Sequence, residues 1–377
     1  MPQGNVILRH NWMTMIKKHK RQAGLVDVAR VARVSVSTAG RVLRDSDYPV
    51  DPKLITRVKK AAGKLGYTPN LLARQLRGGE HAFIGLIVGN MEDPFYGQIA
   101  QSVTDRANSK ALMAIVANMQ RDSKMEIDLC EKLWERRISG LILSGGGFDQ
   151  LEHQNELVEA VNRLRKAGVV VVSLAERDLR VPCFSVDNFE AGRLAAKHVL
   201  DLGHREIGIV AGPVRSLVSE RRLAGKLAAL SEAGIVPVVV RSTFGLAPGA
   251  HVLDLVLEKN PKTTEVVAAG DTLALGVIRR FHERGGRVPD GLSVVGIGNT
   301  FYAQLSSPRM STVDIGLSYC GAAAVDFLVE ALGGGSPPQP EKYQARLVPG
   351  DSVRRFARAA WESKADGHPP SHRNQEA

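Results

Sequence analysis

Leu25-Val-Asp-Val-Ala-Arg-Val-Ala32, then Arg33-Val34, then Ser35-Val-Ser-Thr-Ala-Gly-Arg-Val-Leu43, is the stretch on which the reading of this chain turns. Leu25, Val28, Ala29 and Ala32 recur at i, i+3, i+4 and i+7, which places them on one apolar face of a helix. Gly24 is an acceptable cap for that helix, and Asp27 faces the partial positive charge of its first turn. Ser35 offers a hydroxyl cap to a second helix over residues 36–43, in which Ala39, Val42 and Leu43 turn inward while Val36, Ser37 and Arg41 stay outside. Two short helices joined by a tight turn predict a helix-turn-helix, whose second helix lies in the DNA major groove. A third helix follows: Asp51 caps it, Pro52 takes its first position, Ile55, Val58, Ala62 and Leu65 form its buried stripe, and Gly66 ends it.

Charge supports that reading. The first 80 residues hold 16 Lys+Arg against 5 Asp+Glu, and the rest of the chain is balanced at 34 against 34, so the whole net charge of +11 sits beside the helix-turn-helix. Basic residues distributed through periodic helices suit a module that neutralises phosphates and displaces counterions. A length of 377 residues with 44% hydrophobic and 24% charged content allows two or three soluble domains. Cys130, Cys183 and Cys320 are widely spaced and form neither a disulfide framework nor a metal-spaced cluster, so no metal and no cofactor is expected. The absence of a long apolar run and of a secretory segment points to a cytoplasmic protein with no membrane partner. No catalytic reading survives: Gly145-Gly-Gly147 lacks the lysine of a phosphate-binding loop, and no nucleophile motif or metal-spaced His pair is present.

At Tyr67-Thr-Pro-Asn70 followed by Leu71-Leu-Ala-Arg-Gln-Leu-Arg77 the pattern becomes specific. Together with Asp27-Val28-Ala29, Val34-Ser35, Thr38, Arg41-Val42-Leu43 and Gly66-Tyr67, these residues resemble the lactose-repressor (LacI) family of transcriptional regulators, and the similarity runs on to about residue 355. The resemblance implies that Val36, Ser37 and Arg41 read operator bases. Arginine bonds guanine O6 and N7 bidentately, whereas valine offers only apolar contact, for example to a thymine methyl. Ser35 and Thr38 suit phosphate contact or helix capping. It also implies a hinge helix carrying Asn70, Ala73 and Leu76, with Leu76 wedged into the minor groove at the central base step. A helix of about eight residues is unstable alone, so residues 70–77 are expected to fold only on DNA beside a partner subunit. Two departures stand out: Gly40 lies inside the recognition helix, and Arg33 replaces the glycine or asparagine usual at the turn, where positive φ is needed.

From Phe83 onward, short apolar runs alternate with helical stretches, the signature of parallel α/β layers. Strands are expected at residues 83–88, 112–117, 140–143, 169–173, 207–211, 236–240, 266–269 and 292–297. The fold class is thus an all-α helix-turn-helix domain plus hinge helix, followed by an α/β core that the resemblance makes periplasmic-binding-protein-like, with two parallel-sheet subdomains. The expected limits are a flexible basic arm at 1–23, the DNA-binding domain at 24–68, hinge and linker at 69–80, and the effector and dimerisation domain at 81–357. Within the last, one subdomain takes about 81–186 plus 316–345 and the other about 187–315 plus 346–357, with chain crossings near 185–187, 313–316 and 345. Residues 358–377, rich in charge, His and Pro, are expected to be a disordered tail.

Open α/β sheets bind ligands at the carboxyl ends of their strands, which makes loops there the expected effector site. Asp93, Phe95 and Tyr96 follow the first strand, the aromatic pair being suited to stack on a ring. Asp187 precedes Asn188, which reads as a helix cap, and offers a carboxylate to hydroxyls. Arg222 matches the family arginine that grips ligand hydroxyls or a carboxylate. Phe244 and Asp271 lie on further loops, Asp271 reading equally well as an N-cap. Where sugar-binding members carry an aspartate after the strand at 292–297, this chain has Gly298-Asn299, and Ser216 and Val218 replace stronger polar groups. An anionic effector paired with Arg222 therefore stands beside a sugar or related metabolite as the expected ligand. The implied protein is a repressor that binds a palindromic operator on double-stranded DNA as a homodimer or tetramer and releases it on effector binding. Co-repression and a solute-binding protein without a regulatory role are the alternatives.

Overall fold

The three N-terminal helices form where capping chemistry sets their ends. The computed structural model describes residues 23–43, 49–67, 83–145, 151–214 and 216–356, and the chain divides into two units, residues 1–80 and 81–377. The expected arm, hinge helix and C-terminal tail lie outside the described residues. In α1 (Leu25–Ala32) the Asp27 carboxylate accepts from the Gly24 N–H at 2.9 Å. In α2 (Val36–Val42) the Ser35 hydroxyl accepts from the Thr38 N–H at 3.0 Å. In α3 (Pro52–Leu65) the Asp51 carboxylate accepts from the Lys53 N–H at 2.8 Å, and Gly66 closes the helix at φ 60°. Their shared core is Val28, Ala29, Ala32, Ala39, Val42, Val58, Ala61 and Ala62, with Ile55 and Leu65 packed at its edge.

Arg33 adopts the left-handed turn with φ 50°, a conformation that costs a non-glycine residue on the order of 1 kcal/mol. Compensation comes from the helix end it closes. The Arg33 and Val34 N–H groups donate to Arg30 O and Ala29 O, and the Arg57 guanidinium donates to Ala32 O at 2.5 Å and Arg33 O at 3.1 Å. These bonds satisfy carbonyls that the end of α1 would otherwise leave unpaired.

The second unit holds two sheets. The first is built from β1 (Phe83–Val88), α4 (Pro94–Ser109), β2 (Met113–Asn118), α5 (Ser123–Glu135), β3 (Gly140–Leu143), α6 (Leu151–Lys166) and β4 (Val170–Ser173). Its order is β2-β1-β3-β4, all parallel, with Ile84 paired to Ala114 on one side and Gly140 on the other. The second follows as α7 (Asn188–Asp201), β5 (Ile207–Ala211), α8 (Leu217–Glu232), β6 (Val238–Arg241), α9 (Leu246–Lys259), β7 (Glu265–Ala268), α10 (Asp271–Glu283), β8 (Ser293–Gly298), α11 (Phe301–Leu305), β9 (Ser311–Asp314), α12 (Leu317–Leu332) and β10 (Arg346–Val348). Its order is β10-β9-β8-β7-β5-β6, parallel except for β10, which runs antiparallel to β9. Central strands of both sheets are buried along their length, as helices on both faces require.

The chain passes between the sheets at residues 185–187, after β9, and before β10. After β9, α12 returns to the first sheet and packs on α4, where Arg106 holds Asp326 through two bonds of 2.8 Å. The segments anticipated only as crossings near 313 and 345 are themselves strands, β9 and β10, at the edge of the second sheet. β6 begins at Val238 rather than Val236, because Pro237 has no N–H to donate and Val236 stands 95% exposed.

One group in the second core lacks the partners its chemistry asks for. Glu265, wholly buried at the start of β7, has no hydrogen-bond partner among the described residues on either carboxylate oxygen. His204 approaches it to 3.7 Å, yet Nε2 of that imidazole donates to Arg354 O at 2.9 Å and Nδ1 bonds the Thr264 hydroxyl at 3.0 Å. Burial pushes the Glu265 carboxyl well above its ordinary 4.5 and the His204 imidazole below 6.5. The folded protein thus keeps a proton on Glu265 that the unfolded chain releases above pH 4.5, so this residue's contribution to stability falls as pH rises from there. Glu265→Gln is expected to gain about 1–3 kcal/mol at pH 8 and almost nothing at pH 4.5. Urea titrations at the two pH values check this, and an equal effect at both would refute it.

Candidate DNA-reading face and effector cleft

In the N-terminal unit, the exposed side of α2 carries the residues expected to face DNA. Val36 is 44% exposed, Ser37 and Arg41 are exposed one turn apart, and Thr38 is half-buried. The Ser35 hydroxyl caps the helix and also bonds the Ser37 and Thr38 hydroxyls, each at 2.8 Å, so Ser35 orders the first turn. Lys53, Lys59, Lys60 and Lys64 lie exposed along α3 and add the positive field a phosphate backbone attracts. Asn70, Ala73 and Leu76 lie outside the described residues.

In the second unit, loops at the carboxyl ends of strands from both sheets converge on a cavity of about 100 Å³. Asp93, Phe95, Tyr96, Arg222, Phe244 and Asp271 all line it; Asp187 does not. Asp187 is the cap of α7, its carboxylate accepting from the Phe189 and Glu190 N–H groups at 3.0 and 3.1 Å. The two adjacent polar residues thus exchange the roles expected of them. Asn188 faces the cavity, and its Oδ1 accepts from Arg222 Nε at 2.9 Å.

Arg222 is 4% exposed, and its Nη1 donates to Ala269 O at 2.8 Å. Burial lowers its guanidinium to about 10, against the opposing charge of Asp271. One turn on, wholly buried Lys226 donates to Val267 O at 3.3 Å, and burial beside Arg222 pushes its ammonium well below 10.5. Asp271 is not an N-cap, since Gly270 takes that place. Its carboxylate accepts from the Thr300 N–H at 2.7 Å, the Thr300 hydroxyl at 2.9 Å and the Thr312 hydroxyl at 2.6 Å, while burial raises its pKa. Gly298 permits this: a Cβ there would stand 2.9 Å from Asp271 Oδ2, and φ is 150°. Tyr96 meets Phe95 edge to face with centroids 4.9 Å apart, and burial pushes its phenol up to about 12.

Arg121, from the loop after β2, joins the two halves of the cleft. Its Nη2 donates to Asp93 Oδ2 at 3.0 Å on its own side, and its Nη1 donates to Phe244 O at 3.0 Å on the other, with the guanidinium 5.6 Å from the Phe244 ring centroid. Asp93 Oδ1 accepts in addition from the Thr272 hydroxyl at 3.2 Å. Sequence reading missed Arg121, Ser144 and Thr272. Position after a parallel strand was the available signal, and it applied equally to the solvated residues around them.

Comparison with known proteins places these two units. Residues 24–70 match the model of bacterial regulatory proteins of the lacI family, and residues 196–353 match the periplasmic binding protein-like domain. The chain is 28% identical over 302 residues to the HTH-type transcriptional regulator DegA of Bacillus subtilis, covering 79% of this chain and 88% of that protein. It is 29% identical over 314 residues to the HTH-type transcriptional repressor PurR of Edwardsiella ictaluri, covering 82% and 90%. The crystal structure of the lac repressor dimer bound to operator and the anti-inducer ONPF superposes with a TM-score of 0.77 at 25% identity, covering 89% of this chain and all of that one. The chain therefore joins a helix-turn-helix domain of the lacI family to a periplasmic binding protein-like domain, and it is a DNA-binding transcriptional regulator rather than an enzyme.

Proposed function

We propose that this regulator represses transcription by placing α2 in the major groove of a palindromic operator and leaves that operator when a small molecule occupies the cleft. The observation that carries the reading is the convergence of Asp93, Tyr96, Arg222, Phe244 and Asp271 from separate strand ends on one cavity. A ligand that changes how the two sheet subdomains close changes operator affinity by linkage, and operator must change ligand affinity by the same factor. The Arg121 bonds to Asp93 and Phe244 are contacts that such a movement would make or break.

The domain limits follow the sequence reading: DNA reading by residues 24–68, a hinge at 69–80 that inserts Leu76 into the minor groove, and effector binding and dimerisation by residues 81–357. A homodimer suits a module whose single short helix spans too few bases for specificity. α11 offers a surface for the second copy, with Phe301, Tyr302 and Leu305 exposed by 62%, 54% and 67%. Action on DNA puts the protein in the cytoplasm, and among the described residues no helix is long and apolar enough to cross a membrane.

The test is direct. DNA selected by the full chain from a random pool should contain a palindrome, and Arg41→Ala should bind it about 10- to 100-fold more weakly, a loss of about 1–3 kcal/mol. Relaxed preference at a single base pair of each half-site should accompany that loss. Unchanged affinity and unchanged preference would refute the assignment of α2.

A further inference from the structure

The cavity is chemically lopsided in a way that bears on its ligand. Both carboxylates that line it are largely occupied by the protein itself. Asp271 accepts three hydrogen bonds, from Thr300 and Thr312. Asp93 also accepts three, from the Phe95 N–H, the Thr272 hydroxyl and Arg121. A carboxylate has about four acceptor sites, so each retains roughly one for a ligand hydroxyl, and a polyol needs several. Arg222 is in the opposite position. Its hydrogen bonds go to two neutral acceptors, Asn188 Oδ1 and Ala269 O, and among the described residues it forms no ion pair. The Asp271 charge acts on this guanidinium only from beyond ion-pair distance, and a buried guanidinium hydrogen-bonded solely to neutral oxygens keeps donor capacity for a ligand anion.

The remaining lining narrows the partner. Ser144 Oγ is buried on the cavity wall without a hydrogen-bond partner among the described residues. Ser185, Ser216 and Thr300 also line the cavity, and the larger part of the remaining wall is apolar, with Phe95, Tyr96, Leu174, Phe244, Ile297 and Leu317 contributing rings and aliphatic chains. The volume, about 100 Å³, is below the roughly 150 Å³ of an apolar cavity that accepts benzene, so the site takes no more than one ring, and only if the cleft widens slightly around it.

We infer that the effector is a compact single-ring carboxylic acid, aromatic or alicyclic, whose carboxylate pairs with Arg222 and whose ring lies among Phe95, Tyr96, Leu174 and Phe244. This deepens the proposed function and rests on the cleft being the effector site. Charge pairing in a desolvated site supplies orientation, and the ring supplies the apolar burial that a sugar lacks.

Thermal unfolding of the full-length protein tests the inference, using benzoate and cyclohexanecarboxylate as probes, benzamide as the neutral isostere, and D-ribose and D-glucose as polyols. At saturating concentration either acid is expected to raise the unfolding midpoint by about 5 °C, and the other three compounds by less than about 1 °C. Arg222→Gln is expected to abolish the shift. Leu174→Trp, which fills the ring's place without touching the charge, is expected to abolish it as well and serves should Arg222→Gln fail to fold. A shift produced by ribose or glucose but by neither acid overturns the ligand class and leaves the cleft assignment standing. No shift with either acid overturns the ligand class too. An acid-induced shift that survives in Leu174→Trp overturns the placement in the cleft.

Discussion

Glu126→Ala is expected to destabilise the C-terminal unit by about 3–5 kcal/mol, the cost of stranding a buried charge. Glu126 on α5 and Arg177 after β4 meet as a fork, Nη1 to Oε1 and Nη2 to Oε2 at 2.6 Å each, with side chains 2% and 4% exposed. Removing the carboxylate leaves the guanidinium with no counter-ion among the described residues, in a site where Arg177 Nε already has no partner among them. Neither group reaches water, because both side chains are almost wholly buried. The double substitution Glu126→Leu with Arg177→Met should recover most of the loss, since an apolar pair of similar volume carries no desolvation cost. Urea unfolding of the single and double variants checks this. A loss below about 1 kcal/mol in the single variant would show that the pair is solvated. The same pair lies near the Tyr96 side of the cleft, so weakened ligand binding should accompany the loss of stability.

How far the sequence discloses this molecule depends on how local each determinant is. α1, α2 and α3 begin and end at Gly24, Ser35, Asp51 and Gly66 because caps act within one turn, and a single sequence displays them. β1, β3 and β5 were legible as apolar runs, since a strand covered on both faces has no polar residues to break the run. β9 and β10 were not: Ser311-Thr-Val-Asp314 and Arg346-Leu-Val348 are short and half polar, and only their place at the sheet edge makes them strands. The cleft divides in the same manner. Arg222 and Tyr96 stand near strand ends beside recognisable motifs, whereas the choice between Asp187 and Asn188 as helix cap depends on backbone angles that their order does not disclose. Arg121 was the hardest to read. In Gln120-Arg121-Asp122-Ser123-Lys124 it looks solvated, and its reach to Phe244, 123 residues away, depends on left-handed φ angles of 52° and 60° at Gln120 and Arg121.

A substitution far smaller than the loss of an ion pair should disturb stability and ligand binding together. α7 and α8 approach so closely that their backbones touch at two glycines. A Cβ on Gly192 would lie 2.0 Å from Arg222 O, and one on Gly225 would lie 1.9 Å from Phe189 O. These are backbone atoms, so no side-chain rotation relieves the overlap and the helices must separate. Gly192→Ala is therefore expected to cost about 3 kcal/mol despite the roughly 1 kcal/mol that alanine contributes to helix propensity. Because the clash is with the backbone of Arg222, the guanidinium moves with it, away from Asn188 and Ala269, and affinity for a cleft ligand should fall at least tenfold, about 1.4 kcal/mol. Gly97→Ala in α4, where an added Cβ meets nothing within 4 Å, supplies the contrast in the same unit. It should be neutral to stabilising by up to about 1 kcal/mol, with ligand affinity unchanged. Were Gly192→Ala to behave like Gly97→Ala, the α7–α8 contact would not be what positions Arg222, and the close approach of the two helices would serve packing alone.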